Sequence, residues 1–342
     1  MTIGWGILGT GTHAGSTTAP SINGAANSKI VAVCDLSMER AGEFAAKHGV
    51  EHVYDSLDKM LENPALDVLY IATPNYLHAR QAVQAAEAGK HILCEKPMTI
   101  TVEDAELMVA ACDKNKVKLG VSFPARYHPA HIEARHYIQS GIVGEINVVK
   151  AQYCRGGSRG SWSTWSPWRS DPSMGGAGAL YGQGVHPIDL LRFMLDSEIE
   201  EVRALTDENP PEYPVDDMAY VIIRFENGVT GVVICGMLAP RSENDAVLYG
   251  SKAKITCKGT IGAPMPGAVG EFLVDGDAIN VRMDFPNTGK PPRMVHEIDD
   301  FNNWVDGGIE PDITGRNGLQ MVKIGNAILE SSREGKAVKI TK

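Results

Sequence analysis

The stretch "GILGTGTHA", residues 6–14, continues an apolar run at the start of the chain and decides the fold. It places Gly9, Gly11 and Ala14 in the spacing G-x-G-x-x-A. The first glycine permits a tight turn, the second lets the backbone approach a pyrophosphate, and the small alanine lets a helix pack close to the sheet. The N-terminus of that helix then faces the phosphates. The stretch therefore predicts a strand, turn and helix that bind a dinucleotide.

An acidic residue at the end of the second predicted strand supports this interpretation. Asp35 ends the run "KIVAVCD", residues 29–35, about 20 positions after Ala14, where a carboxylate can bind the ribose hydroxyls of adenosine. A carboxylate there repels a 2′-phosphate, which favours NAD. Ser37 and Arg40 can bind a phosphate, so NADP stays an alternative. The other cofactor contacts that we predict from these two turns are Thr10, Thr12, His13 and Leu36.

The pattern of apolar residues predicts an α/β fold in two parts. Short apolar runs alternate with amphipathic stretches up to about residue 123, which is typical of a parallel sheet with helices on both faces. The predicted strands are 2–8, 29–35, 66–73, 90–95 and 117–123, and the predicted helices among them are 37–49, 75–90 and 101–116.

The later part of the chain has a different pattern of predicted strands and helices. The segment 219–237 reads as two strands joined by "ENG", a strong hairpin signal, and helices are predicted near 294–307 and 315–333. We therefore expect a Rossmann domain over 1–123, followed over 124–342 by an α+β domain with a large, mostly antiparallel sheet that binds substrate and forms oligomers. The last helix is free to pack back on the first domain.

Composition narrows the class of partner. The chain has 342 residues and a formal net charge of −10. It contains no block of Lys and Arg that could bind the phosphate backbone of a nucleic acid. No apolar run is long enough to span a membrane, and the start of the chain lacks the features of a signal peptide. Its six cysteines contain no C-x-x-C pair, so we expect reduced thiols and no metal site. We expect a cytoplasmic protein with a small-molecule partner.

Two further predicted strands end in polar turns. Glu95, Lys96 and Pro97 follow one strand, at the sheet edge where ligands of open α/β sheets bind, and Glu95 and Lys96 are predicted cofactor contacts. An ammonium group there can hydrogen-bond a substrate hydroxyl and stabilise a developing alkoxide, although a solvated lysine in a connecting turn is the alternative. The turn after residues 66–73 offers four more candidate cofactor contacts, Thr73, Pro74, Asn75 and His78. For this turn a helix entry with Asn75 as N-cap is an equal alternative.

The segment "ALYGQGVHPIDLLRFM", residues 179–194, contains the strongest candidate base. A histidine titrates near neutral pH, which suits removal of a hydroxyl proton. His186 is therefore either a base directed into a cleft, with Asp189 as its orienting partner, or a histidine packed at the start of a helix. The residues alone leave both open.

The order of these motifs identifies a family resemblance. The G-x-G-x-x-A turn, "TPN" with its histidine, "GKHILCEKP", "ARYHP" (125–129), "GIVGEI" (141–146) and "GVHPIDLLRF" (184–193) follow one another along the chain. This resembles the glucose–fructose oxidoreductase/inositol dehydrogenase/MocA (Gfo/Idh/MocA) family over essentially the whole length. The resemblance implies an NAD(P)-binding Rossmann domain and a C-terminal sheet that packs the substrate pocket and builds homodimers or homotetramers. It also implies that Lys96 contacts substrate and cofactor, that His186 accepts the proton, and that Asp189 is the acid of the same block.

The chain departs from the family pattern at Gly182. Many relatives carry an aspartate at that position, four residues before the histidine, so another group has to fill the role or the pocket admits a bulkier substrate. The candidates are Tyr181, Asp189 and the loop 155–176, whose Trp162, Trp165, Trp168 and Arg169 suit sugar rings and their hydroxyls. Packing of these tryptophans against the sheet or against a neighbouring subunit is an equal alternative. The full set of predicted substrate contacts is Arg126, Tyr153, Trp168, Arg169, Tyr181 and Gln183.

Taken with the resemblance, these residues predict an enzyme that moves a hydride between a nicotinamide and a secondary alcohol or ketone. The expected substrate is a sugar, a glycoside or a cyclic polyol. The alternatives are a glycosidase that uses NAD for transient oxidation and a non-catalytic regulator that senses the cofactor.

Overall fold

The computed structural model describes residues 2–160, 167–207, 213–262, 268–286 and 292–341. It contains two compact units. The first comprises Met1–Pro124 and Pro291–Val322, and the second comprises Ala125–Lys290 and Lys323–Lys342. None of the helices in the described ranges is long and apolar enough to cross a membrane.

The first unit is built on a six-stranded parallel sheet. Its strands are β1 (Ile3–Leu8), β2 (Ser28–Cys34), β3 (His52–Tyr54), β4 (Val68–Ile71), β5 (His91–Cys94) and β6 (Leu119–Val121). They lie in the order β3-β2-β1-β4-β5-β6, which is the Rossmann order. Every residue of β1 and of β4 is buried, as expected for strands covered on both faces. The predicted parallel fold is confirmed.

Short helices connect these strands. They are α1 (Ala19–Gly24), α2 (Met38–His48), α3 (Leu57–Leu61), α4 (His78–Glu87) and α5 (Val102–Asn115). Two of these helices begin with a side-chain cap. The hydroxyl of Ser37 accepts an amide hydrogen of α2, and the hydroxyl of Thr101 accepts one of α5. A π-helical turn, Ala14–Thr18, precedes α1 directly after the glycine-rich turn.

Residues 292–322 also pack within the first unit. The indole of Trp5 donates to Asn302 at 3.1 Å, and its ring lies 5.8 Å from the ring of Phe301. Both partners belong to α9 (Pro292–Val305), and the long helix α10 (Gly315–Glu334) follows it. Burial of these aromatic rings on β1 draws this segment of the predicted second domain into the first unit. The functional division at residue 123 stays a prediction.

The second unit contains a nine-stranded sheet, and seven of its eight strand pairs are antiparallel. Its strands are β7 (Ile146–Cys154), β8 (Ile199–Thr206), β9 (Met218–Phe225), β10 (Thr230–Gly236), β11 (Ala246–Gly250), β12 (Ala253–Lys258), β13 (Val269–Gly276), β14 (Asn280–Pro286) and β15 (Val338–Lys339). Their order is β14-β13-β12-β11-β7-β10-β9-β8-β15. The predicted hairpin is the antiparallel pair β9–β10, and buried and exposed residues alternate along β9. This confirms the mostly antiparallel sheet.

Three helices complete the second unit beside the end of α10: α6 (Pro129–Gln139), α7 (Pro172–Gly175) and α8 (Val185–Leu195). A π-helical turn, Leu180–Gly184, leads directly into α8. The sheet and this helix position those residues of the candidate site that belong to the second unit.

Candidate active site

The glycine-rich turn after β1 leaves space where a ligand backbone can approach. Gly9 has a φ of +94°, and a Cβ there would lie 2.9 Å from the carbonyl oxygen of Ala72, so the position requires glycine. A Cβ on Gly11 would meet nothing within 4 Å. The first glycine therefore shapes the turn, whereas the second keeps a space open above it, which fits a pyrophosphate.

Asp35 is held in place by the same turn. Its Oδ2 accepts the amide hydrogen of Thr10 at 3.0 Å and the hydroxyl of Thr10 at 2.8 Å. Its Oδ1 accepts from the amide of Ser37 at 3.0 Å and from the guanidinium of Arg40 at 2.5 Å. Burial by itself would raise the pKa of Asp35, but these hydrogen bonds outweigh burial and lower the pKa below its ordinary value. The structure thus provides an ionised carboxylate at the position predicted for ribose recognition.

The surface next to Asp35 is apolar and open. Leu36 is 92% exposed and Met38 is 49% exposed, so aliphatic groups are accessible there to a purine ring. The side chain of Arg40 is 63% exposed beyond its contact with Asp35. Thr12 and His13, also predicted to contact the cofactor, are exposed on the turn.

Glu95 is the hydrogen-bonding centre of the Glu-Lys-Pro turn. Its Oε1 accepts the phenol hydrogen of Tyr70 at 2.5 Å and lies 2.8 Å from Nε2 of His13, and its Oε2 accepts the amide hydrogen of Lys96 at 3.3 Å. Burial would raise the pKa of Glu95, but His13, the Tyr70 phenol and the Lys96 charge together hold that pKa well below its usual range. Glu95 is therefore a fixed carboxylate, and it ties the phosphate turn to the segment that carries Lys96.

Tyr70 was missed by sequence reasoning. It is fully buried in β4 and appears in the sequence as one more apolar strand residue. The only signal is a hydroxyl-bearing ring near the carboxyl end of an otherwise aliphatic strand.

His78 is a buried link between two turns. Its Nε2 lies 2.8 Å from the carbonyl oxygen of Thr73, and its Nδ1 lies 3.2 Å from the carbonyl oxygens of both Pro97 and Met98. Burial lowers the pKa of this imidazole. The described contacts of His78 thus fix the turns that follow β4 and β5, and a direct contact with the cofactor stays a prediction.

The other residues of the "TPN" turn have specific places. The hydroxyl of Thr73 donates to Gln81 at 2.5 Å. Pro74 occupies the N-cap position of a short 3₁₀ turn, Asn75–Leu77, and α4 begins only after it. The alternative in which Asn75 is the N-cap is therefore wrong, because Asn75 is the first residue within that turn and is buried.

In the second unit, His186 lies at the second position of α8 and is partly exposed. Its ring packs edge-on against the ring of Tyr153 from β7, with centroids 5.7 Å apart. The phenol oxygen of Tyr153 accepts from Nε and Nη2 of Arg155, at 3.2 and 3.0 Å. This cluster joins two predicted site residues, Tyr153 and His186, with Arg155, which sequence reasoning missed among the arginines of the long loop.

Asp189 and Arg126 form an ion pair, and the orientation of His186 by Asp189 stays a prediction. Nε and Nη2 of Arg126 bind the two carboxylate oxygens at 2.8 and 2.6 Å, and Nη1 of Arg192 lies 3.3 Å from Oδ1. Asp189 is 1% exposed and Arg126 is 5% exposed. Both oxygens of the carboxylate are thus taken by guanidinium groups, which neutralise a charge that is costly to bury. A contact of Arg126 with the substrate stays a prediction.

Tyr181 and Gln183 are also committed to packing inside the second unit. The phenol oxygen of Tyr181, which is 3% exposed, accepts from Asn326 at 3.3 Å, and burial raises its pKa. Gln183 is 2% exposed, and its Nε2 lies 3.5 Å from the sulfur of Met237. Both side chains are buried, and the role of Tyr181 in place of the aspartate absent at Gly182 stays a prediction, as does a substrate contact of Gln183.

The tryptophan and arginine loop is described only in part. Trp168 and Arg169 lie in a 3₁₀ turn, Pro167–Ser170, and the guanidinium of Arg169 lies 4.4 Å from the centre of the Trp168 ring. Both side chains are partly exposed. Trp162 and Trp165 lie outside the described residues.

Asp216 supports the turn that precedes His186 and was also missed. Its carboxylate accepts the amide hydrogens of Gly178 at 2.8 Å and Leu180 at 2.7 Å, and its carbonyl accepts that of Ala179 at 2.8 Å. Burial raises its pKa to about 6, although these amide hydrogen bonds oppose the shift. The only signal in the sequence is an acidic doublet, Asp216 and Asp217, directly before an apolar strand.

The sequence and the fold of this chain are similar to those of known proteins. Residues 3–123 match the model of the oxidoreductase family GFO/IDH/MocA with its NAD-binding Rossmann fold, and residues 131–256 match the family's C-terminal domain. The chain is 31% identical over 257 residues to the uncharacterized oxidoreductase ORF334 of Rhizobium meliloti, covering 74% of each chain. It is 27% identical over 342 residues to the 1,5-anhydro-D-fructose reductase of Ensifer adhaerens, covering 98% of each. The structure of a levoglucosan dehydrogenase in complex with NADH and levoglucosan is similar over all of both chains, with a TM-score of 0.87 and 26% identity.

These matches confirm the family, the enzyme class and the cofactor NAD that the sequence predicted. The chain belongs to the Gfo/Idh/MocA family of oxidoreductases and binds NAD through an N-terminal Rossmann fold.

Proposed function

We propose that this protein is a dehydrogenase or reductase of a sugar, a glycoside or a cyclic polyol, acting at a secondary alcohol or ketone. The observation that carries the proposal is the contact between Glu95 and His13, because it joins the turn shaped for a dinucleotide to the turn that carries Lys96. The relatives add the substrate class, since they include a 1,5-anhydro-D-fructose reductase and a dehydrogenase crystallised with levoglucosan.

The residues of the first unit fit the cofactor. The carboxylate of Asp35 would bind the adenosine ribose, the open space at Gly11 would admit the pyrophosphate, and Leu36 would cover a face of the adenine. Bound NAD supplies a hydride acceptor beside the substrate. Asp35 favours NAD over NADP. The exposed guanidinium of Arg40 could bind the 2′-phosphate, so NADP is the alternative cofactor.

His186 is proposed as the proton acceptor. Oxidation of a secondary alcohol requires that its hydroxyl proton be removed while a hydride leaves the same carbon, and imidazole is suited to that step near neutral pH. The edge-on contact with Tyr153 limits the rotation of the imidazole ring, which supports a defined direction for proton transfer. In the reverse direction, the imidazolium returns the proton to the alkoxide.

Lys96 is proposed to orient the substrate hydroxyl. Its ammonium can donate a hydrogen bond to that oxygen and stabilise the negative charge that develops on it. The backbone of Lys96 is held by the hydrogen bond that its amide donates to the Glu95 carboxylate, and by the neighbouring contacts of His78 with Pro97 and Met98. Such fixing reduces the reorganisation needed when the substrate binds.

The proposal keeps residues 1–123 as the cofactor domain and 124–342 as the substrate domain, and it includes assembly as a homodimer or homotetramer.

Absorbance of the reduced nicotinamide, followed across a panel of sugars, anhydrosugars and cyclic polyols, tests the function. The expected result is NAD-dependent oxidation of at least one member, or NADH-dependent reduction of the corresponding ketone. Release of free sugar from glycosides without net change in NADH would instead identify an NAD-dependent glycosidase. Tight cofactor binding without turnover of any member would identify a non-catalytic regulator.

A further inference from the structure

His13 occupies an unusual place for a titratable side chain. It lies in the phosphate turn one residue before the π-helical turn Ala14–Thr18, and its side chain is 53% exposed. Its Nε2 nevertheless lies 2.8 Å from a carboxylate oxygen of Glu95, whose side chain is only 14% exposed. One side of the imidazole is thus engaged by a fixed anion, while the residue itself belongs to the turn that receives the cofactor phosphates.

The protonation of the ring follows from its contacts. Glu95 is a carboxylate and can only accept, so Nε2 of His13 must carry a hydrogen. A second proton can then be gained only at Nδ1, and gaining it converts His13 to an imidazolium. A ligand that brings negative charge to the phosphate turn favours that form.

Among the described residues, charged groups of both signs lie around His13. Glu95 faces it from the turn after β5, with the phenol of Tyr70 from β4 and the charge of Lys96 acting on the same carboxylate. Asp35 is bound to Thr10 on the phosphate turn itself. On α2, the ring of His48 lies beside the next residue of the π-helical turn, Gly15.

We propose that His13 binds the pyrophosphate of the cofactor as an imidazolium while it holds Glu95, and that cofactor binding therefore takes up a proton at this residue. The proton comes from solvent and is bound at Nδ1, whose N–H then donates to a phosphate oxygen. His13 thus links occupancy of the phosphate turn to the position of the Glu-Lys-Pro turn. The inference rests on the cofactor site of the proposed function and adds a proton-linked contact to it.

Titration calorimetry of NADH binding near neutral pH, in buffers of different ionisation enthalpy, measures the proton count directly. For the unmodified protein we expect net uptake of a measurable fraction of one proton, because the negative charge of the phosphates favours the imidazolium. ADP-ribose, which carries the pyrophosphate without the nicotinamide, should give the same uptake. Uptake with NADH but not with ADP-ribose would overturn the assignment to the pyrophosphate.

His13→Gln keeps an N–H that can donate to Glu95 but cannot gain a proton. We expect this variant to bind NADH about tenfold more weakly, because it loses one charge-assisted hydrogen bond. Its binding of NADH should take up no proton. The matched control is His52→Gln, which changes an exposed histidine of the same unit and should leave both the dissociation constant and the proton count unchanged.

The two proposals fail in different ways. If the unmodified protein does not bind NADH, the cofactor site itself is wrong. If it binds NADH with no proton uptake, or if His13→Gln takes up as many protons as the unmodified protein, only the role of His13 is wrong. Thermal unfolding of each variant confirms that it is folded before binding is measured.

Discussion

Arg126 and Asp189 form a two-bonded ion pair inside the second unit, with Nε–Oδ2 and Nη2–Oδ1 distances of 2.8 and 2.6 Å. The pair joins the segment before α6 to α8, the helix on which His186 lies one turn earlier. Arg126 also lies over the ring of Phe193, 5.5 Å from its centre, so both its charge and its flat face are used. An acid that the sequence presents as a catalytic partner is therefore part of the structural support of α8.

Asp189→Asn is expected to destabilise the protein by about 3 kcal/mol, because removal of one partner leaves the Arg126 charge buried with weaker compensation. Urea unfolding measures the loss. The control is Asp196→Asn at the end of the same helix, where the side chain is 69% exposed and the ion pair with Arg135 contributes less than about 1 kcal/mol. Equal effects of the two substitutions would contradict the structural role of Asp189.

The two glycines of the phosphate turn should respond differently to alanine. Gly9→Ala places a Cβ at positive φ and against the carbonyl of Ala72, so we expect a loss of about 2 kcal/mol in stability. Gly11→Ala meets no protein atom within 4 Å and should change stability by less than about 0.5 kcal/mol. It should, however, weaken NADH binding about tenfold or more, because the new methyl occupies space needed for the pyrophosphate. Thermal unfolding and NADH fluorescence separate the two effects, and unchanged NADH affinity in Gly11→Ala would argue against the proposed phosphate position.

His186→Ala is expected to lower kcat by at least about 100-fold while NADH affinity stays unchanged, because the substitution removes the base and leaves the first unit intact. Steady-state kinetics on a substrate found in the panel, together with NADH titration, provides the measurement. Turnover near that of the unmodified enzyme would exclude His186 as the proton acceptor.

Lys96→Ala should reduce kcat and raise the substrate KM together, since the ammonium is proposed to bind the hydroxyl in the ground state and its alkoxide in the transition state. Lys90→Ala is a suitable control, because that lysine binds the carbonyl oxygen of Leu66 at 2.8 Å in a turn before β5. If kcat/KM is unchanged in Lys96→Ala, the lysine does not act on the substrate.

Asp216 gives the stability of the fold a predictable dependence on pH. Burial raises its pKa to about 6, above the value in an unfolded chain, so the folded state binds a proton more tightly. Its contribution is therefore present below about pH 4 and is lost as the pH rises through about 6. Relative to Asp216→Asn, the unmodified protein should gain on the order of 2 kcal/mol when the pH is lowered from 7 to 4. Urea unfolding at the two pH values tests this, with the exposed Asp277→Asn as control; a pH-independent difference would contradict the buried position of the carboxylate.

Much of the site in the first unit could be predicted from the sequence because its signals are local. Gly9, Gly11 and Asp35 follow strands whose apolar pattern is unambiguous, and their spacing alone places them at one edge of a parallel sheet. In the second unit, by contrast, the polar residues around His186 gave no indication of their partners. Asp189 lies one helical turn from His186, yet its partner Arg126 lies 63 positions earlier in the chain.

The sequence by itself determined the two kinds of sheet, the dinucleotide turn and the family, because these depend on periodicity and on spacings of a few residues. Only the tertiary structure decided which polar side chains are available for chemistry. It buried Tyr181 beside Asn326, paired Asp189 with two arginines, and brought Tyr70 and His13 to the same oxygen of Glu95. The physical reason is that burying a charged or polar group is costly unless a partner satisfies it, and that partner comes from whatever segment the fold brings near.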